Sequence, residues 1–227
     1  MSFNRELSIS MFNANSEEEL RSKLYGQWSD LTTVETNCIT EKLSEFNSPR
    51  YCEIGVYFGG NFLKVYKSLQ ESKEDFHMYG VDLFENLKAE EQTSQTHDLY
   101  NKWNMLNVAV KVELEEALHQ RLCHKFTLVK GHSDVAVEGL QEKCDVFFID
   151  GNHTYEQTML DAKACISSSK VGSYLIFHNA SKNIQPDPQY VLRDGGPHLV
   201  VENLCKLDNV EFVESAERCS VVRVLSV

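Results

Sequence analysis

Residues 50–60 read Arg50-Tyr51-Cys52-Glu53-Ile54-Gly55-Val56-Tyr57-Phe58-Gly59-Gly60, and the order of chemistry along them decides the fold. A short apolar strand runs into an acid, Glu53, and then into a turn with glycines at 55, 59 and 60. A helix follows, with Phe62, Leu63, Val65, Tyr66 and Leu69 at helical spacing. Strand, glycine turn and helix together let backbone approach a ligand closely, because glycine carries no Cβ to obstruct it. The dinucleotide fingerprint Gly-x-Gly-x-x-Gly needs a glycine where this chain has Tyr57. What stands is Glu-x-Gly-x-x-x-Gly, which disfavours a nicotinamide dinucleotide.

Outward from this turn, strand-like runs recur at 51–55, 77–82, 126–130, 145–150 and 173–178, several of them continuously apolar as parallel strands buried on both faces are. Helical segments separate them, and this alternation predicts a mostly parallel α/β sheet with right-handed crossovers. The tail breaks the rhythm: a helix near 197–207 leads to strands at 210–215 and 219–226, joined by the tight turn Ala216-Glu217-Arg218. That hairpin is antiparallel and brings the expected sheet to seven strands. Two N-terminal helices are expected at 16–27, with Ser16 as N-cap, and at 32–46. Residues 1–227 read as one domain, with 1–48 as a helical cap and 85–124 as a helical insertion between the second and third strands. The second helix of that insertion falls near 104–122, and the insertion is suited to capping the site or to joining copies into a homo-oligomer.

At 227 residues the chain is long enough for a well-buried α/β core. Its net charge of −12 repels nucleic acid and anionic membrane, so a small-molecule partner is expected, with no nucleic acid and no membrane. Cysteines at 38, 52, 123, 144, 165, 205 and 219 show neither zinc spacing nor the density of a disulfide scaffold, which points to a reducing cytoplasm. No stretch approaches the roughly 20 apolar residues of a membrane helix.

In open α/β sheets ligands bind beyond the carboxyl ends of the strands. The residues there are Glu53, Gly55, Tyr57 and Gly59 after the first strand, Asp82 after the second, and Gly131-His132-Ser133-Asp134 after the third. The fourth gives Phe148-Ile149-Asp150-Gly151-Asn152-His153-Thr154-Tyr155-Glu156, with Asp161 further on in a capping or salt-bridging place, and the fifth gives Phe177-His178-Asn179. Trp28, Tyr100 and Trp103 are either core or the floor of an acceptor pocket, and the loop 181–196 is placed to shape specificity.

The glycine turn resembles the first motif of class I S-adenosylmethionine (SAM)-dependent methyltransferases. Phe-Ile-Asp-Gly-x-His-x-Tyr-Glu, followed by the Gly172-to-His178 strand, resembles the small-molecule O-methyltransferases, with catechol and caffeoyl-CoA O-methyltransferases more distant. The similarity covers about residues 50–180. It implies a Rossmann-like methyltransferase fold, SAM held by Glu53, Gly55, Tyr57, Gly59, Asp82, Ser133 and Asp150, and a hydroxyl acceptor. Asp82 would accept the ribose hydroxyls, and Ser133 would lie beside the adenine. In metal-dependent relatives an acid after the fourth strand and an adjacent pair 28 positions later hold a divalent cation, and the matching residues here are Asp150, His178 and Asn179. The residue three after that acid is the relatives' general base, here His153, and histidine's reference pKa of about 6.5 suits that task.

His178 departs from the pattern, because relatives carry a carboxylate there, and magnesium prefers oxygen ligands. Three outcomes stay open: a transition metal, weakly held magnesium or calcium, or no metal, with His153 and His178 working alone. The plainest reading of His178 is a strand-end histidine bonded to Asp150. Two functional alternatives also stand: a metal-independent N-methyltransferase, since a neutral amine needs no metal, and a non-catalytic SAM-binding regulatory subunit.

Overall fold

The structure is a computed structural model that describes residues 19, 23, 25, 26, 28–84, 111–120, 125–181 and 196–227. Helix α1 (Thr33–Ser44) starts where Thr32 and Glu35 form a reciprocal capping box, an arrangement worth about 1 kcal/mol. Strand β1 (Arg50–Ile54) leads through the glycine turn into α2 (Gly60–Ser72), then β2 (His77–Asp82), α3 (Lys111–His119), β3 (Phe126–Lys130) and α4 (Ser133–Glu138). After these come β4 (Cys144–Ile149), α5 (Tyr155–Ser167), β5 (Ser169–Phe177), α6 (Gly196–Leu204), β6 (Val210–Ala216) and β7 (Cys219–Val224).

The strands form one seven-stranded sheet in the order β3-β2-β1-β4-β5-β7-β6. The first five are parallel, while β7 runs antiparallel to both β5 and β6. Strand alternation sends side chains to two apolar layers. Tyr51 joins Ile39, Leu43, Phe62 and Tyr66 from α1 and α2. Cys52 and Ile54 join Ala162, Cys165, Val200 and Leu204 from α5 and α6 on the opposite face. The strand order reverses between β1 and β4, and a crevice opens at the carboxyl end of such a switch point. Gly55 and Asp150 directly follow the two strands on either side of it.

The sheet, its hairpin and the central elements match the expectation. Strand β5 begins at Ser169, four residues before the apolar run that marks it in the sequence. Gly172 sits there at φ +91, and the β4–β5 register shifts between Cys144 and Val146, so polar and glycine residues occupy a bulged strand start. The expected helix at 16–27, residues 85–110 and 121–124 of the insertion, Tyr100, Trp103 and loop residues 182–195 lie outside the described residues, apart from isolated positions near Tyr25. The six described cysteines are free thiols. Among the described residues no helix is long and apolar enough to cross a membrane.

Candidate active site

Gly55 holds φ +85, a left-handed conformation that side chains other than glycine resist. Its amide donates to the carbonyl of Val81 at 2.9 Å, tying the turn to β2. A Cβ at Gly55 would stand 2.6 Å from the Asp150 carbonyl carbon and 3.0 Å from the Gly151 nitrogen, so β1 and β4 meet backbone to backbone here. Tyr57, also left-handed at φ 51, donates its amide to Asp82 Oδ2 at 2.9 Å, and the Phe84 amide reaches Asp82 Oδ1 at 3.1 Å. The Leu83 and Val56 amides also act on this carboxylate. Burial pushes the Asp82 carboxyl above its usual range, against these backbone donors.

Two other segments close on the turn. A Cβ at Gly60 would stand 2.8 Å from the Ser29 nitrogen, and Trp28 packs edge-on against Tyr57 and Phe58 at 5.4 and 5.9 Å between ring centroids. On the other side, a Cβ at Gly59 would meet the Leu114 side chain of α3 at 2.8 Å. The N-terminal segment and the described part of the insertion therefore both cover the glycine turn.

Glu53 lies under the turn, only 1% exposed, and does not stand open at the crevice. Its Oε2 accepts from the Tyr51 hydroxyl at 2.7 Å and from Asn61 Nδ2 at 2.9 Å. Burial raises its pKa to about 8, with the two hydrogen bonds opposing the rise. This acid braces the turn from beneath. Ser133, the first residue of α4, donates its hydroxyl to Asp161 Oδ1 at 2.6 Å, and Gln157 Nε2 bonds the same oxygen at 2.8 Å. Asp161 thus anchors the position read as the adenine side of the site.

The chemical centre lies at the ends of β4 and β5. Asp150 Oδ1 is bonded at 3.1 Å to His153 Nε2 and at 2.8 Å to His178 Nδ1. His178 is 1% exposed, and its Nε2 faces Glu35 Oε1 at 3.8 Å, beyond hydrogen-bond reach but within ion-pair range. Glu35 is fully buried and receives Arg218 Nε at 2.8 Å and Nη2 at 2.7 Å. The Arg218 amide and the Thr32 amide add bonds at 3.2 and 3.0 Å. Burial opposes ionisation of Asp150, but the charge of His178 and the hydrogen bond from His153 outweigh it and hold the carboxyl well below its usual range. Glu35 is depressed likewise, burial being overcome by His178 and Arg218. Burial acts to lower the pKa of His178, yet the charge of Asp150 raises it to about 10.

Sequence reasoning paired Asp150 with His178, and the fold brings them into contact. It missed Glu35 and Arg218. The capping-box spacing Thr32-x-x-Glu35 marked the start of α1 but gave no hint that the same carboxylate meets a hairpin arginine. Asn179 follows His178 in a left-handed turn at φ 54.

Asp150, His153 and His178 offer donor atoms within 4.8 Å of one another, the spacing of a cation site. In the arrangement seen, these donors are already engaged with one another. Both nitrogens of His178 face carboxylate oxygens, and Asp150 Oδ1 already accepts from two imidazoles. The residues as arranged do not fit the metal expected at Asp150, His178 and Asn179. The glycine turn does fit a nucleoside ligand: Gly55 brings the turn against Asp150 at the crevice, and Asp82 is oriented beside it by backbone amides.

A family described as a methyltransferase domain matches residues 52–180. No curated protein matches the chain. Among solved structures, the O-methyltransferase NovP is 13% identical, with a TM-score of 0.64 over 97% of this chain and 97% of that one. The SAH-bound methyltransferase PaMTH1 of Podospora anserina is 11% identical, with a TM-score of 0.62 over 97% of this chain and 87% of that one. An O-methyltransferase from Bacillus cereus in complex with SAH is 12% identical, with a TM-score of 0.57 over 98% and 100%. At these identities the likeness is one of fold.

Proposed function

The chain belongs to the methyltransferase-domain family, and from that premise we propose that it moves the methyl group of SAM to a hydroxyl of a small molecule. The observation that carries this reading is the close approach of Gly55 to Asp150, which sets a ligand-binding turn beside an acid–imidazole pair. When bound, SAM supplies an electrophilic methyl on a sulfonium. The turn from Gly55 to Gly59, with Tyr57, receives its amino-acid end, and Glu53 braces that turn from below. Asp82, oriented by the amides of Tyr57 and Phe84, accepts the ribose hydroxyls. Ser133, held by Asp161, borders the adenine.

His153 takes the acceptor's hydroxyl proton. Asp150 Oδ1 holds its Nε2 at 3.1 Å, so the proton arrives at Nδ1, and the carboxylate stabilises the imidazolium that forms. The O–H electron pair stays on the acceptor oxygen as its proton passes to His153. An oxygen lone pair forms the new O–CH3 bond, and the S–CH3 bond breaks with its electron pair left on sulfur, so that the leaving group is neutral SAH. Most of the acceleration comes from placement, since holding the attacking oxygen in line removes an entropic cost. General-base assistance adds about 10²–10⁴-fold. No step passes through a metal.

The test is transfer of labelled methyl from SAM to a panel of hydroxylated small molecules, catechols and sugars among them, with matched amines beside them. Labelled ethers support the reading. Labelled amines alone would replace it with N-methylation, the second reading, which the metal-unsuited cluster favours. SAM binding with no product from any acceptor would support a regulatory subunit.

A further inference from the structure

We propose that the imidazolium of His178 is the resident cation of this site, clamped between Asp150 and Glu35, and that Glu35 is the positioning residue that holds it there. Its bearing on methyl transfer rests on the function proposed above, while the charge arrangement stands on the geometry alone.

A neutral imidazole has one N–H donor and one bare nitrogen. His178 turns Nδ1 to Asp150 at 2.8 Å and Nε2 to Glu35 at 3.8 Å. Nε2 makes no hydrogen bond, but a bare nitrogen facing either carboxylate would be repelled where a protonated one is attracted, so both nitrogens carry protons. Glu35 cannot swing away to relieve the arrangement, because Arg218 and two backbone amides occupy its oxygens.

The sum of charges agrees. Asp150 and Glu35 are anionic while the partly exposed Arg218 and the buried His178 are cationic, so these four charges cancel. Burial keeps the nearby Cys38 and Cys219 thiols neutral, and Asp30 partners Arg218 from the surface at 3.3 Å. A divalent ion would leave an excess of two positive charges, or of one if His178 gave up a proton. Uncompensated charge in such a dry place is costly.

The device reaches across the fold. Glu35 comes from α1, Arg218 from the β6–β7 turn, and His178 follows β5. The Arg218 carbonyl also accepts the amides of Ala180 at 2.8 Å and Ser181 at 3.1 Å, pinning the turn that begins with His178. His178 is too buried to touch an acceptor. Its role is to fix Asp150 Oδ1, which in turn aims His153.

The test uses chelator-dialysed full-length protein. Calorimetry with Mn2+ and Zn2+ should show no micromolar site, and nitrogen NMR of the His178 ring, assigned by its loss in His178→Gln, should show both nitrogens protonated in mildly alkaline buffer. Glu35→Gln keeps the shape but removes the anion, so the ring should lose its second proton at a lower pH than in the wild type while SAH affinity stays within about twofold, since Glu35 touches no ligand-binding residue. Arg218→Gln should keep the doubly protonated ring and guards against a folding artefact in the first variant. One Mn2+ or Zn2+ bound per chain and lost in His178→Gln, or a singly protonated ring in the wild type, would overturn the proposal. A ring unaltered by Glu35→Gln would remove Glu35 from it. Failure to bind SAH in the same samples would strike the methyltransferase reading and leave the measured charge of His178 untouched.

Discussion

Replacing Gly55 by alanine tests the backbone approach on which the site depends. Gly55 holds φ +85, and an alanine there costs about 1–2 kcal/mol in left-handed strain. The added Cβ would also lie 2.6 Å from the Asp150 carbonyl carbon and 3.0 Å from the Gly151 nitrogen. These are backbone atoms that cannot rotate aside, and forced overpacking costs about 1–3 kcal/mol more. The sum is about 2–5 kcal/mol. In a chain of this length each kcal/mol moves Tm by about 2–4 °C, so thermal unfolding should come roughly 4–20 °C earlier. Gly172→Ala is the control: φ is +91, but the nearest atom is the flexible end of Arg223 at 3.7 Å, so only the conformational cost applies. Calorimetric unfolding with and without SAH should show the larger loss at Gly55, together with weakened SAH binding that Gly172→Ala lacks. Equal Tm shifts with SAH affinity intact in both would refute the idea that Gly55 exists to let β1 and β4 meet beside a ligand.

Three further outcomes are expected. His153→Ala should slow methyl transfer by about 10²–10⁴-fold at unchanged SAH affinity; loss of SAH binding as well would make the residue structural. Asp82→Ala removes a charged acceptor worth about 1.5–3 kcal/mol per hydrogen bond, so SAH should bind at least about tenfold more weakly in calorimetry, and unchanged affinity would exclude Asp82 from the cofactor site. Glu53 has its pKa raised to about 8 in the folded protein, from 4.5. The native state then binds more protons than the unfolded state across that window, so this contribution is complete below the lower value and is lost as pH rises to the upper one. Glu53→Gln should flatten that part of the profile of urea midpoints against pH, and an identical slope in both proteins would show that Glu53 is ionised throughout.

What the sequence displayed depended on how local each requirement was. The glycine turn was legible because a bare backbone position demands glycine wherever the rest of the chain lies. Strands β2 and β3 begin and end where their apolar runs do, at His77–Asp82 and Phe126–Lys130. The start of β5 was hidden by a bulge that places glycine and polar residues in a strand. Glu53 reads as ligand-facing from its place before the turn, yet two-residue alternation puts it on the same buried face as Tyr51, where it accepts that residue's hydroxyl proton in a hydrogen bond. The Glu35–Arg218 pair spans 183 positions, and no local pattern encodes a contact that only the hairpin and α1 create together. The spacing of 28 between Asp150 and His178 suggested a metal. The second carboxylate that faces the same histidine, Glu35 at 3.8 Å, lay in that distant pair.

The measurement that bears most directly on the account is a calorimetric titration of the protein with SAH, run beside NADH. A single SAH site per chain, weakened by Asp82→Ala and accompanied by no heat from NADH, is the predicted result. Saturable NADH binding, or an SAH titration that stays flat, would contradict the assignment of the crevice at the ends of β1 and β4.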